Sequence, residues 1–208
     1  MQKPIHTRWW WVRHAPVTVD NGHIYGQSDL PCDTTDAPTF AALAKALPRN
    51  AIWVISNLMR TRQTADAILK VSLPTAPQPD FEIVPAFAEQ HLGQWQGLPR
   101  AAFLADRGFA GSYWFAAAEE CAPEGESFLD LVSRVKPEMD RLTAAHPTRD
   151  IIAVAHGGTI RAALSLALGI APQATLALAI NNCSLTRIDH VIIGETSGWR
   201  VAGVNMRA

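Results

Sequence analysis

The stretch Trp9-Trp10-Trp11-Val12-Arg13-His14-Ala15-Pro16 decides how the rest of the chain is read. Its aromatic and β-branched residues favour a buried strand. Pro16 has no N–H and a fixed φ, so the strand is expected to stop near it. Arg13 and His14 then stand at the carboxyl end of a core strand, the rim where open α/β sheets bind ligands. A guanidinium fork beside an imidazole suits a phosphoryl group: one binds its oxygens, the other attacks or donates a proton. A strand-end histidine with an arginine facing water would look the same, so the neighbouring stretches must decide.

Working outward, residues 7–12 form the first expected strand. Residues 16–37 are rich in turn formers (Asn21-Gly22, Gly26, Pro31, Asp33, Asp36), and loops of such length are usually functional. Asp36 can cap a helix from Pro38 to Leu47. Ile52–Ile55 reads as a second buried strand, with Ser56 as the N-cap of a helix over about 58–71. Pro74 to Pro79 connects to a strand at Phe81–Val84. A short helix is expected near Arg100–Asp106 in the irregular region 86–126. Ser127-x-x-Asp130 opens a helix through about Ala145 in capping-box style. Ile151–Ala155 is another buried strand, and His156-Gly157-Gly158 turns into a helix ending near Gly169. Two last strands fall near Ser184–His190 and Trp199–Val204. Strands alternating with helices imply an α/β three-layer sandwich, with a mainly parallel central sheet and helices on both faces.

Three strand-to-helix junctions share one chemistry. The first ends in Arg13-His14, the second in Ser56 with Arg60 and Arg62 following, the third in His156 and two glycines. Parallel strands put all three on one rim. Two histidines and at least two arginines then converge with free helix N-terminal N–H groups, an anion site built from side chains and backbone together.

Composition narrows the class. The chain has 208 residues, 48% of them apolar, enough for a sizeable core in one domain over 1–208 with a cap-like insertion around 98–126. Eighteen lysines and arginines face nineteen aspartates and glutamates, so bulk charge favours neither nucleic acid nor membrane. Cys32, Cys121 and Cys183 are far apart and odd in number, which argues against a disulfide framework and for a reducing cytoplasm. The apolar run before Arg13 is too short for a signal peptide. The segment Ile160–Ile180 is broken by Arg161, Gly169, Pro172 and Gln173, so it reads as a buried helix and a second short element rather than a span.

Five motifs carry a resemblance to the histidine phosphatase superfamily, the phosphoglycerate mutase-like fold. Val12-Arg13-His14-Ala15 resembles its R-H-G or R-H-A signature. Ser56 to Ala65 resembles S-x-L-x-R-[TA]-x-[QE]-T-A. Glu89 to Gly97 resembles E-x-x-x-G-x-W-E-G, Pro123 to Ser127 resembles P-x-G-E-S, and Ala155 to Gly158 resembles the second histidine motif. They occur in the family's order and cover residues 12 to about 161.

The resemblance implies that His14 is the nucleophile and that Arg13, Arg60 and His156 hold the phosphoryl oxygens. Glu89 would be the general acid and then the base. Tyr25, Gly26, Gln27 and Gly157 become candidates to touch the substrate, while Asp29 braces their loop. No metal or cofactor is implied: two arginines and a second histidine, if protonated, supply the charge. A carboxylic acid working near neutrality does so best when desolvated, and Pro85–Ala88 is an apolar lead-in to Glu89. A metal hydrolase on His14, Glu89 and His156 lacks any H-E-x-x-H-like spacing, and its arginines would oppose a cation.

Two positions depart from the pattern. Asp20 stands where the family has a phosphate-contacting asparagine, leaving Thr18 or Asn21 as substitutes. Gln96 replaces the glutamate of W-E-G. The Arg13-His14-Ala15-Pro16-Val17 start and the Tyr25-Gly26 loop most resemble the α-ribazole phosphatase branch. The aromatic set Phe103, Phe109, Tyr113, Trp114 and Phe115 suits a cap over a ring. The expected partner is a small phosphomonoester, and a homodimer is compatible with the sequence. A mutase and a catalytically silent phosphate-binding module are the alternatives. Residues 98–121 hold only Arg100 and Arg107 against three acids, which favours hydrolysis over mutase chemistry.

Overall fold

The computed structural model describes residues 4–73, 75, 77–108 and 114–208. In chain order the elements are β1 (Ile5–Arg13), α1 (Ala37–Ala46), β2 (Ala51–Ile55), α2 (Met59–Ser72), β3 (Phe81–Ile83), α3 (Arg100–Asp106) and α4 (Phe128–Ala145). They continue with β4 (Asp150–Ala155), α5 (Gly157–Leu168), α6 (Pro172–Thr175), β5 (Leu185–Ile193) and β6 (Thr196–Met206). The strands form one sheet in the order β3-β2-β4-β1-β5-β6. The first four in that order run parallel, and the β5–β6 hairpin closes the sheet antiparallel. The α/β expectation of a mainly parallel sheet holds.

Strand β1 carries both cores because its side chains alternate between faces. Trp9 and Trp11 are fully buried, stacked with centroids 5.1 Å apart, and packed with Leu131 and Val135 of α4 and Ile160 of α5. On the other face Val12 joins Phe40 and Leu43 of α1 and Ile68 and Leu69 of α2. Removing one such aromatic side chain costs about 3–5 kcal/mol. Two of the three indole N–H groups are tied down: Trp9 Nε1 donates to Thr143 Oγ1 at 3.0 Å and Trp10 Nε1 to Asp150 Oδ1 at 2.9 Å, while Trp11 Nε1 is buried without a partner among the described residues.

Helix starts follow local chemistry. The Asp36 side chain accepts from Thr39 N, capping α1, and Ser127 and Asp130 form a full capping box on α4. Ser56 does not cap α2 in the expected way. That helix begins at Met59, whose N–H is taken by Asp29 Oδ1 at 2.7 Å, so the loop supplies the acceptor and Ser56 turns inward. Asp29 thus braces the 25–31 loop as expected.

A third apolar cluster lies outside the two main cores. Ile24, Leu92, Trp95, Phe115, Ala116 and Ala122 are buried in it, with Phe103 and Trp114 packed alongside. It joins the irregular 98–126 region to the loops at residues 24 and 92–95. Phe109 and Tyr113 of the aromatic set, and Pro74 before β3, lie outside the described residues.

Candidate active site

The β1–β4 register fixes the centre of the site. Arg13 pairs with Ala155, so the next residues, His14 and His156, are neighbours on the carboxyl rim. His14 N donates to Ala155 O at 3.0 Å, and the two ring centroids are 5.1 Å apart. Both side chains are buried. Strand β2 ends beside them, Ile55 pairing with Val154, and brings Ser56 and, one turn into α2, Arg60.

Hydrogen bonds decide the tautomers. His14 Nδ1 lies 2.7 Å from Ala15 O. A carbonyl only accepts, so Nδ1 carries the proton and Nε2 keeps its lone pair. Burial, then the charges of Arg13 and Arg60, hold the His14 pKa well below the ordinary 6.5. His156 has the opposite tautomer: Arg60 Nε donates to its Nδ1 at 3.3 Å, and its Nε2 then donates to Ser56 Oγ at 2.8 Å. Burial and the charge of Arg60 likewise keep it well below 6.5. The expectation of charge from a protonated His156 is therefore not met here, because its Nδ1 faces a guanidinium. The positive charge comes from arginines.

Arg60 is fully buried. Its Nη1 and Nη2 donate to Ser28 O (2.9 Å) and Gly26 O (2.7 Å), and it lies over the Tyr25 ring at 5.3 Å. Arg13 Nη1 donates to Ile180 O at 2.5 Å, while its Nε is buried with no partner. A buried donor without an acceptor is costly, so this N–H calls for a ligand oxygen. It sits beside Gly157 at the N-terminus of α5, where backbone dipoles also favour an anion.

Glu89 closes the arrangement. Its Oε1 accepts from Gln90 N (2.9 Å) and Gly158 N (3.1 Å), while Oε2 has only a 3.3 Å contact with Gly158 N. Oε2 is the less engaged of the two oxygens. The Glu89 carbonyl takes Gln27 Nε2 at 2.8 Å and Arg134 Nη2 at 2.9 Å. Arg134 also bonds Ala86 O and pairs with Glu126 at 2.6 Å. The P-x-G-E-S glutamate thus positions the Glu89 segment through Arg134.

A cleft opens over these groups. Its lining includes Arg13, Tyr25, Gly26, Glu89 and Gly157 of the expected residues, with Arg60, His14 and His156 buried behind them. Gln27 is not in the lining: its N–H donates to Gln96 Oε1 at 2.8 Å, and its side chain holds Glu89. Gln96, the departure from W-E-G, therefore organises the loop. Asp20, Thr18 and Asn21 do not line the cleft, and Asp20 O accepts from His23 N. The sequence reading missed Arg161, which lines the cleft from α5, and Asn182, whose Nδ2 donates to His14 O at 2.8 Å. Arg161 had a signal: it interrupts an apolar segment four residues after Gly157, on the same helix face. Among the described residues, no group of three or more His, Cys, Asp or Glu is placed to hold a metal ion, and no helix is long and apolar enough to cross a membrane.

A neutral imidazole nitrogen, guanidinium donors, a helix N-terminus and one carboxyl group can together transfer a phosphoryl group. The family model of the histidine phosphatase superfamily (branch 1) matches residues 9–206. The chain belongs to this superfamily. It is 32% identical over 206 residues to a glucosyl-3-phosphoglycerate phosphatase of Mycobacterium tuberculosis, covering 91% of this chain and 90% of that protein. The native structure of the mycobacterial glucosyl-3-phosphoglycerate phosphatase superposes with a TM-score of 0.80 at 27% identity, over 96% of this chain and 99% of that one. An α-ribazole phosphatase from Shigella flexneri matches with a TM-score of 0.74 over 97% and 98% of the chains; at 22% identity it shares the fold. The family and its phosphatase relatives make this chain an enzyme of the histidine phosphatase type.

Proposed function

We propose that the enzyme hydrolyses small phosphomonoesters through a phosphohistidine on His14, without a metal. The His14 Nδ1–Ala15 O bond carries this reading, because it leaves Nε2 with a lone pair beside the arginines. Nε2 attacks phosphorus and the P–O bond to the leaving group breaks. Glu89, entering as the acid, gives its proton to the departing oxygen. Water then attacks the phosphohistidine and returns a proton to Glu89, and the N–P bond breaks to release phosphate. Arg13, Arg60 and the α5 N-terminus bind the equatorial oxygens, while neutral His156 orients Arg60.

Two substrates have specific support. α-Ribazole 5′-phosphate is favoured by the R-H-A-P-V start and by Trp114 and Phe115, which give the cleft an aromatic wall for a base. Glucosyl-3-phosphoglycerate is favoured by the relative that bears its name. A mutase would return the phosphoryl group to its substrate. The cleft is more basic than residues 98–121 alone suggest, because Arg161 arrives from α5. Three free cysteines support a cytoplasmic home.

The test is p-nitrophenyl phosphate turnover with EDTA present, followed by rapid quench. Release of inorganic phosphate, an acid-labile and base-stable label on the wild type, and loss of both in His14→Ala are expected. Turnover that survives in His14→Ala, or that EDTA abolishes, defeats the proposal.

A further inference from the structure

Arg161 is the only charged residue of α5, and it is 7% exposed. Its Nε donates to Leu178 O at 2.9 Å, and its guanidinium lies over the Trp114 ring at 4.8 Å. Its Nη1 comes within 3.1 Å of the point a Cβ on Gly157 would occupy, and Arg13 Nε comes within 3.6 Å of the same point. On the adjacent wall Arg100 lies over Phe115 at 5.0 Å. Neither Arg161 nor Arg100 has a carboxylate partner among the described residues. The one acid lining the cleft, Glu89, is held by backbone N–H groups instead.

A buried cation with no carboxylate in contact is unfavourable, and Arg161 has only the charge of Glu89, beyond ion-pair contact, to offset its burial. Burial lowers the Arg161 pKa to about 10, which still leaves it charged at neutral pH. The transferred phosphoryl group already has Arg13, Arg60 and the α5 N-terminus. Contact with the Phe115 and Trp114 rings places the two further guanidinium groups on the cleft wall, where their N–H donors suit an anion. A substrate whose only anion is the transferred group would leave the buried Arg161 with no anion in contact, and the half-buried Arg100 would add nothing to its binding.

We infer that Arg161, with Arg100, binds a second anionic group of the substrate, a carboxylate or a second phosphate next to the phosphoryl group being transferred. Arg161 is then the residue that sets substrate class. This rests on the phosphomonoesterase reading of the cleft.

Matched esters test it. 3-Phosphoglycerate and glycerol 3-phosphate differ by a carboxylate in place of a hydroxymethyl group. Glycerol 2,3-bisphosphate and glycerol 3-phosphate differ by a second phosphate on the neighbouring carbon. The wild type is expected to prefer the more anionic member of one pair by about tenfold or more in kcat/KM, and the pair shows which anion is read. Arg161→Gln should bring that ratio near unity, chiefly through KM, and Arg100→Gln should lower it. Equal kcat/KM within both pairs, a ratio that persists in Arg161→Gln, or equal losses on both members in that variant would overturn the inference. Calorimetry on His14→Ala with the same pairs reads binding without turnover. Turnover without discrimination defeats the second-anion site alone; discrimination in binding without wild-type turnover defeats the phosphatase reading alone.

Discussion

Arg60 donates from Nε to Nδ1 of His156 at 3.3 Å, a bond that only a ring with its Nδ1 unprotonated can accept. His14 is neutral for a parallel reason, buried between Arg13 and Arg60. Burial first, and then the charges of these arginines, hold both rings neutral, leaving the Nε2 lone pair of His14 in a positive site.

That arrangement makes stability depend on pH. In the unfolded chain each histidine titrates near 6.5. In the fold His14 and His156 titrate well below that value, and His190 is also lowered by burial. Between 6.5 and the folded values the unfolded chain binds more protons, so stability is complete above 6.5 and falls as pH drops through it. Thermal scans at pH 7.5, 6.5 and 5.5 should show a falling Tm, with a smaller fall in His14→Asn. A Tm that stays level or rises on acidification would refute this. The acid limb of kcat/KM should likewise lie below pH 6.5.

Ser56→Ala removes the hydroxyl that accepts from His156 Nε2 and leaves a buried N–H unsatisfied. The cost should be about 1–3 kcal/mol in urea unfolding. Ser56→Thr, which keeps the hydroxyl, should recover part of it. Equal stability of wild type and Ser56→Ala would remove Ser56 from the positioning of His156.

Gly158 is a glycine for reasons of space. A Cβ there would overlap Glu89 Oε1 and meet Leu131 Cδ2 at 3.0 Å. Gly158→Ala should displace the carboxyl group and lower kcat by about 100-fold, with the far-UV spectrum kept. Gly198→Ala, where a Cβ meets nothing within 4 Å, is the matched control and should leave kcat unaltered. A fully active Gly158→Ala would show that Glu89 does not need its present place.

Strand ends and histidines were legible because local rules govern them. The apolar run into Arg13, Pro16 and the Ser127 box each announce their own structure. Ser56 was misread because its helix is served by Asp29, a loop residue 30 positions away that no local rule connects to it. Gln27 was placed against the substrate, yet Gln96 and the Glu89 carbonyl claim it. Asn182 reaches His14 across the whole chain. Such contacts depend on how the 25–31 loop and the segment after α6 fold over the rim, and periodicity carries no trace of that.

Glu89→Gln separates the acid role from simple binding. p-Nitrophenolate is a good leaving group and departs without a proton, whereas an alkoxide needs one in the transition state. If Oε2 delivers that proton, the variant should lose about 100- to 10,000-fold in kcat on an alkyl phosphate such as glycerol 3-phosphate. It should lose far less in the phosphorylation step with p-nitrophenyl phosphate, where a burst of nitrophenol should precede slow dephosphorylation. Glutamine keeps the acceptor oxygen for the Gln90 and Gly158 N–H groups, so the fold and the cleft are retained. Equal losses on both esters, with no burst, would mean that Glu89 organises the α5 N-terminus and that another group handles the proton.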